Sequence, residues 1–215
     1  MIHKSRILLV DDHPSVREGL RWRIAQTSDL EVCGEAGDES EALRQYKQLR
    51  PDLVIVDISL KRSNGLDLVK QFVAMGSTKT LVYSTYEEAI YAERAIDAGA
   101  MGYVNKEESS DQLIEAIHDI LSGRIYLSPN FTQQILRRRQ SGVPPTASPG
   151  ECLTDRELEI FRLIGQGIVT GEIARRLHLS PHTLDTHRAN IKRKLQLNNA
   201  AELNRAASVW VHENS

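Results

Sequence analysis

The chain has 215 residues, 40% hydrophobic and 26% charged, with a formal net charge of −2, the balance of a globular protein of one large domain or two small ones. No apolar run approaches the ~18 residues that span a bilayer, the opening Met1-Ile2-His3-Lys4-Ser5-Arg6 lacks a secretory leader's apolar core, and Cys33 and Cys152 lie far apart without metal-ligand spacing, so a cytoplasmic protein with reduced thiols and no membrane partner is expected. The near-neutral total excludes a generally basic nucleic-acid binder: from Glu151 onward nine Lys and Arg stand against eight Asp and Glu, so any basic surface must be local.

In chain order, Arg6–Val10, Leu30–Gly34, Asp52–Asp57, Thr80–Ser84 and Gly102–Val104 read as strands. Ser15–Ala25, Ser40–Leu49, Leu66–Met75, Glu88–Ala98 and Asp111–Leu121 read as the helices between and after them. Ile7-Leu8-Leu9-Val10 and Leu53-Val54-Ile55-Val56 are apolar at every position, which fits parallel strands covered on both faces. Five βα units in about 120 residues predict a doubly wound α/β sheet, with ligands at the carboxyl ends of its strands. Ser128–Arg139 reads as a further helix carrying Phe131, Ile135 and Leu136 on one face. Its closing Arg137-Arg138-Arg139 suits a helix C-terminus.

Gln140 to Gly150 holds three prolines, two glycines and no charge, the composition of an exposed linker. No strand pattern follows it. Thr154-Asp155-Arg156-Glu157 is a capping box, and Ser180-Pro181 is a second helix start. Four helices are expected over about 155–166, 170–177, 181–195 and 200–210. The expected organisation is therefore 1–124, an α/β domain; 125–150, a linker helix and a Pro/Gly/Ser linker; and 151–215, an all-α domain of four helices.

Asp11 and Asp12 follow the first strand, Asp57 ends the third, Ser84 ends the fourth, and Lys106 lies just past the fifth. Singly, a carboxylate after a strand is more often a helix cap. Five such residues at successive strand ends of a parallel sheet converge on one edge, and together they outweigh that reading. Clustered carboxylates repel one another unless a cation sits among them, and a small set of oxygen ligands suits Mg2+ or Mn2+. A carboxylate can also attack phosphorus and form an acyl phosphate, while the metal and the Lys106 ammonium neutralise charge.

Residues 5–122 resemble the receiver domain of two-component response regulators. The motifs that carry the resemblance are Leu8-Leu9-Val10-Asp11-Asp12-His13, Asp52-Leu53-Val54-Ile55-Val56-Asp57, Leu81-Val82-Tyr83-Ser84 and Gly99-Ala100-Met101-Gly102-Tyr103-Val104-Asn105-Lys106. The resemblance implies a flavodoxin-like sheet of strand order 2-1-3-4-5. It makes Asp57 the phosphoacceptor, Asp12 a direct metal ligand and Asp11 a ligand through water. Ser59 would offer its backbone carbonyl to the metal, and Lys106 would pair with the phosphoryl group. Ser84 becomes the switch hydroxyl, Thr85 lines the entrance, and Tyr103 is the aromatic residue that rotates on activation. His13 reads as a surface or capping residue. Where the family usually has proline, four residues past Asp57, this chain has Lys61, followed by Arg62.

After the linker, Ile173, Ala174, Leu177 and Leu179 turn inward on one short helix, and Leu184, Ile191 and Leu195 on the next. That is helix-turn-helix geometry, although periodicity alone leaves a plain helical bundle equally open. Residues 151–211 resemble the LuxR-type helix-turn-helix domain through Leu153-Thr154, Arg156-Glu157, Gly167, Glu172-Ile173-Ala174, Leu177, Leu179-Ser180, Thr183, His187, Asn190-Ile191 and Lys194-Leu195. A receiver joined to this output domain is the arrangement of the NarL/FixJ family. The resemblance places His182, Thr183, Asp185, Thr186, Arg188 and Ala189 near DNA, with Arg175, Arg176, Lys192, Arg193 and Lys194 at phosphates. Asp185 departs from the lysine that is common there, which implies a different preferred sequence.

The implied function is a response regulator whose phosphorylation at Asp57 controls DNA binding and transcription. Its partners would be a cognate sensor histidine kinase, double-stranded DNA and, when active, a second copy paired through the alanine-rich last helix. Activation would act by unmasking the recognition helix, by dimerisation, or by both. It would be no enzyme beyond its own phosphoryl transfer and dephosphorylation. An aspartyl-phosphate phosphatase is a weaker reading, because Ser59 stands where that class has a second aspartate. A constitutive dimerisation module is weaker too, because the acidic set is intact.

Overall fold

The computed structural model describes residues 4–60, 63–76, 78–141 and 149–213. Lys61 and Arg62, the departure noted after Asp57, lie outside them, as does the 142–148 stretch of the linker. The chain divides into two compact units, Met1–Arg137 and Arg138–Ser215.

The first unit alternates strand and helix. It runs β1 (Ser5–Val10), α1 (Pro14–Ala25), β2 (Leu30–Ala36), α2 (Glu39–Leu49) and β3 (Leu53–Val56). A short antiparallel pair follows, β4 (Ser59–Leu60) and β5 (Ser63–Asn64), then α3 (Gly65–Met75), β6 (Lys79–Ser84), α4 (Glu88–Asp97), β7 (Gly102–Asn105), α5 (Ser110–Leu121) and the start of α6 (Pro129–Ser141). The five longer strands form one parallel sheet ordered β2-β1-β3-β6-β7. With β4 and β5 set apart, this is the expected 2-1-3-4-5 order. The small pair was not expected, because two-residue strands are too short to show a periodic pattern.

Helices on both faces explain the wholly apolar strands, since Ile7–Val10 and Leu53–Val56 are all buried. Ile7, Leu9, Leu53 and Ile55 share one core with Leu20 and Ile24 of α1 and with Leu113, Ile117 and Ile120 of α5. By strand alternation Leu8, Val10, Val54 and Val56 take the opposite face. Local chemistry sets the helix starts. The Asp38 side chain accepts the Glu41 N–H to cap α2, and Ser109 and Gln112 cap α5 reciprocally.

Past α5 the chain turns back along β7. The Tyr126 N–H donates to the Met101 carbonyl at 2.9 Å, and the Tyr103 N–H donates to the Tyr126 carbonyl at 3.1 Å. A Cβ on Gly102 would lie 2.8 Å from that Tyr126 oxygen, so the approach of the two backbones needs a glycine there.

The second unit is helical: α7 (Pro149–Cys152), α8 (Asp155–Gly165), α9 (Thr170–Arg176), α10 (Pro181–Lys194) and α11 (Ala200–Glu213). The four longer helices fall close to the expected ranges, and the single turn of α7 occupies the end of the expected linker. The Thr154–Glu157 box caps α8, and Ser180 caps α10 with Pro181 at the first helical position. Between α9 and α10, His178 takes a left-handed φ of 50°, which tightens the break. Leu158, Phe161, Ile173, Leu184, Ile191, Leu203 and Trp210 are buried. Leu179 and Leu195, expected inside, are only partly so: Leu179 lies in the break between α9 and α10, and Leu195 caps the end of α10.

Helices α8 and α11 meet backbone to backbone. A Cβ on Gly165 would stand 2.3 Å from the Ala207 carbonyl oxygen. Gly165→Ala is therefore expected to destabilise this unit by roughly 1–3 kcal/mol, the usual cost of overpacking. Urea unfolding followed by tryptophan fluorescence reads this unit selectively, because Trp210 is buried whereas Trp22 is 68% exposed. An unchanged midpoint would rule out the close approach.

Candidate functional site

The carboxyl edge of the sheet collects the predicted polar residues of the first unit. Asp57 follows β3, and its N–H donates to Val10 of β1 at 2.9 Å. Asp11 follows β1, and its N–H donates to Ala36 of β2 at 3.1 Å. The Lys106 N–H donates to the Ser84 carbonyl at 2.8 Å, extending the β6–β7 pairing by one residue. Four neighbouring strands, β1, β3, β6 and β7, thus end together, and the parallel hydrogen bonding that builds the sheet also gathers the side chains.

The Lys106 ammonium lies 2.6 Å from Asp11 Oδ2 and 2.9 Å from Asp57 Oδ2. Both carboxylates are almost fully buried. Burial pushes the Asp57 carboxyl above its ordinary range, Lys106 opposes that rise, and the neighbouring Asp11 charge adds to it. Lys106 also loses hydration, but the carboxylates of Asp57 and Asp11 outweigh this loss and hold its ammonium above the usual lysine range. The Ser59 backbone N–H adds a hydrogen bond to Asp57.

Asp57 Oδ1 is a buried oxygen without a hydrogen-bond partner among the described residues, and Asp12 Oδ1, also buried, has there only the ring nitrogen of His13 beside it. Asp11, Asp12, His13 and Asp57 each bring one potential ligand atom, all within 4.8 Å of one another. Unsatisfied buried carboxylate oxygens are costly unless a cation takes them up, so these residues fit a small divalent ion bound through oxygen. His13 was read as a surface or capping residue. It is exposed and stands at the N-cap of α1 without making a side-chain cap. Its Nδ1 instead lies 2.8 Å from Asp12 Oδ1 and 3.2 Å from Asp11 Oδ1.

Ser84 is buried at the end of β6, whereas Thr85 beside it is exposed. Tyr103 is wholly buried. Its hydroxyl donates to the Tyr86 carbonyl at 2.5 Å, and the Asn105 amide donates to the same oxygen at 2.9 Å. Burial raises the Tyr103 hydroxyl far above the ordinary tyrosine range, although a hydrogen bond with Ser84 works against the rise. Two participants escaped the sequence reading. Tyr86 acts through its backbone oxygen, which no side-chain pattern reveals. Gly65 lies against Asp57, where a Cβ would come within 1.9 Å of the Asp57 carbonyl oxygen. The Asn64-Gly65 pair was its only signal, and it reads equally well as an ordinary turn.

In the second unit, α10 presents a polar face. His182, Thr183, Asp185, Thr186, Ala189 and Arg193 are exposed, while Leu184 and Ile191 are buried on the opposite side. Arg188 donates to the Thr170 hydroxyl at 2.8 Å. Arg175 and Arg176 are exposed on α9 and pair with Glu172, Arg176 at 2.8 Å. Lys192 is partly exposed. Lys194 is placed differently from its neighbours: its ammonium lies 2.6 Å from the carboxylate of Glu157, a residue only 4% exposed.

Residues 7–118 match the response regulator receiver domain family, and residues 151–207 match the bacterial regulatory proteins of the luxR family. The chain is a two-component response regulator of the NarL type. Among curated relatives, the nitrate/nitrite response regulator protein NarL of Escherichia coli K12 is 31% identical over 96% of this chain and 94% of that protein. The transcriptional regulatory protein LiaR of Bacillus subtilis strain 168 is 34% identical over 97% of each. The crystal structure of ChrA, a response regulator of a heme-sensing two-component system, matches with a TM-score of 0.53 at 31% identity, covering 96% of this chain and 98% of that one. The regulator thus joins a receiver to a DNA-binding helix-turn-helix domain. No helix among its described residues is long and apolar enough to cross a membrane.

The Glu157–Lys194 pair yields a test. Burial alone would raise the Glu157 carboxyl, but hydrogen bonds from Lys194 and Thr154 hold it below the usual glutamate range. A lowered carboxyl contributes stability above its unfolded pKa and loses it as pH falls through the lower folded value. Lys194→Met is expected to cost roughly 1–3 kcal/mol at pH 7, because it strands a buried carboxylate, and to shrink the loss of stability seen on acidification. Denaturant titrations at pH 7 and pH 3 measure both effects. Full stability in the variant would assign Lys194 to the solvated surface instead.

Proposed function

We propose that this regulator carries its signal as a phosphoryl group on Asp57, received from a cognate sensor histidine kinase, and that the group controls sequence-specific binding of α10 to double-stranded DNA and so transcription. The observation that carries this reading is the pairing of an unpartnered buried oxygen, Asp57 Oδ1, with an ammonium already 2.9 Å from the other oxygen of that carboxylate. Asp57 attacks phosphorus, the bond from phosphorus to the donor's histidine nitrogen breaks, and an acyl phosphate remains on Asp57. Mg2+ or Mn2+, held by Asp12 and Asp57, by Asp11 through water and by the Ser59 carbonyl, would supply positive charge to the phosphoryl oxygens. Lys106, already beside Asp57, would pair with those oxygens too. Ser84, buried beside the pocket, offers its hydroxyl, and the exposed Thr85 borders the entrance. Ser84 also bears on the buried Tyr103 hydroxyl, and in this reading drawing Ser84 toward a phosphoryl group biases that ring between two states.

The output half of the reading rests on the exposed face of α10. His182, Asp185, Thr186 and Ala189 share that face, Thr183 and Arg188 flank it, and the basic residues Arg175, Arg176, Lys192 and Arg193 would meet phosphates. Lys194 contributes through the fold as well, since it holds Glu157. Two-fold pairing of active copies through α11 completes the reading, with the cytoplasm as its compartment.

Mass spectrometry after treatment with acetyl phosphate and Mg2+ is expected to find one phosphoryl group on Asp57, lost in Asp57→Asn and when the metal is chelated. An Asp57 that stays unmodified would favour a receiver that acts only as a dimerisation module. Asp185 is exposed, and a carboxylate there can accept a hydrogen bond from a cytosine amino group. Selection of bound DNA sequences should therefore give a different consensus for Asp185→Lys. An unchanged consensus would remove Asp185 from sequence reading.

A further inference from the structure

We propose that Arg17 is a positioning residue for the acidic pocket: it fixes the peptide joining Asp11 to Asp12 and so aims the Asp12 carboxylate. The inference rests on the reading of Asp11, Asp12 and Asp57 as a Mg2+ pocket.

Arg17 lies on α1, one turn past the Asp11-Asp12-His13 loop, and its side chain is only 18% exposed. Side chains on a helix lean toward its N-terminus, which turns this one back over the loop. Its Nη1 donates to the Asp11 carbonyl at 2.6 Å. Its Nε donates to Glu35 Oε2 at 3.2 Å. Glu35 is itself anchored: it sits in β2 in register with Leu9 of β1, and its other carboxylate oxygen lies 2.9 Å from Arg21. The Gln45 amide also holds the Glu35 backbone carbonyl. Arg17 therefore ties the loop to β2 through the Glu35 carboxylate, which Arg21 also holds.

The carbonyl of Asp11 and the N–H of Asp12 belong to one rigid planar unit. The Asp11 N–H is held by Ala36 at 3.1 Å, and Arg17 holds the carbonyl on the far side of the same residue. Both backbone torsions of Asp11 are thereby set, and with them the direction in which Asp12 leaves the strand. This matters because Asp12 Oδ1 makes no hydrogen bond among the described residues. Only the nearby His13 ring stands beside it, and that ring is largely exposed. The backbone is what aims the ligand.

The role is geometric more than electrostatic. Glu35 pairs directly with the guanidinium and offsets its charge. Lysine at this position would keep the charge but could not make two divergent contacts at once. Nor is Arg17 needed to start α1, which already has proline at its first position and backbone N–H bonds from Val16 and Arg17 to the His13 carbonyl.

The test is calorimetric titration of Mg2+ alone into the full chain, with melting temperature measured in parallel without metal. Groups that orient metal ligands typically change affinity 10- to 100-fold when lost. Arg17→Ala and Arg17→Lys are each expected to weaken Mg2+ binding about tenfold, with melting temperature close to that of the unaltered chain. Glu35→Gln, which frees the anchor, is expected to weaken binding by a smaller factor. If Arg17→Ala does not fold, the other two variants decide. Unaltered affinity in Arg17→Lys together with Glu35→Gln would overturn the proposal, as would affinity that falls only in step with melting temperature. If the unaltered chain takes up no Mg2+, the pocket reading fails and this inference with it. If the unaltered chain binds and the variants bind equally well, the positioning role alone fails.

Discussion

One ammonium stands among three carboxylates, and much of the first unit is arranged around that imbalance. Lys106 touches Asp11 and Asp57 together, yet single carboxylate oxygens on Asp12 and Asp57 are left over. Burying such a set costs stability, because each charge loses its hydration and like charges repel. The fold tolerates the cost because the surrounding sheet is held by apolar strands buried on both faces. The excess negative charge also fits the edge to the divalent cation of the proposed reading. A pocket neutral by itself would have no use for one.

The second unit handles charge in the opposite way. Its cations are partly engaged internally: Lys194 holds Glu157, Arg156 donates to the Leu177 carbonyl at the end of α9 and pairs with Glu159, and Arg175 and Arg176 share Glu172. This explains how a helix-turn-helix domain can carry almost no net charge. On the proposed reading, attraction to a polyanion comes from local groups on α9 and α10 and not from a generally basic surface.

The architecture was legible because its signals are long or repeated. Strands apolar at every position imply a two-sided sheet, and polar residues at successive strand ends imply a shared edge. The helices of the second unit announced themselves through Thr154-Asp155-Arg156-Glu157 and Ser180-Pro181. What escaped was geometry carried by backbone atoms or by one side chain reaching across the chain. Gly65 reads as half of a turn, whereas its importance is the Asp57 carbonyl pressed against it. Lys194 looks like one member of a basic helix end, and only folding reveals that Glu157, 37 residues away, claims it. Arg17 looks like any arginine on an exposed helix, although its partners are a backbone oxygen and a glutamate on the next strand.

The strip of chain around Tyr126 has a consequence beyond its own packing. A sheet's outermost strand leaves a row of unpaired N–H and C=O groups, a template for another molecule's strand and a route to aggregation. At β7 that row is taken in part by Tyr126, which accepts from Tyr103 and donates to Met101. The requirement for glycine at position 102 thus reaches past local fit: it lets the chain seal its own open margin. With part of that row already taken, the margin is a poorer template for another copy's strand, which favours reversible contacts over strand-to-strand growth.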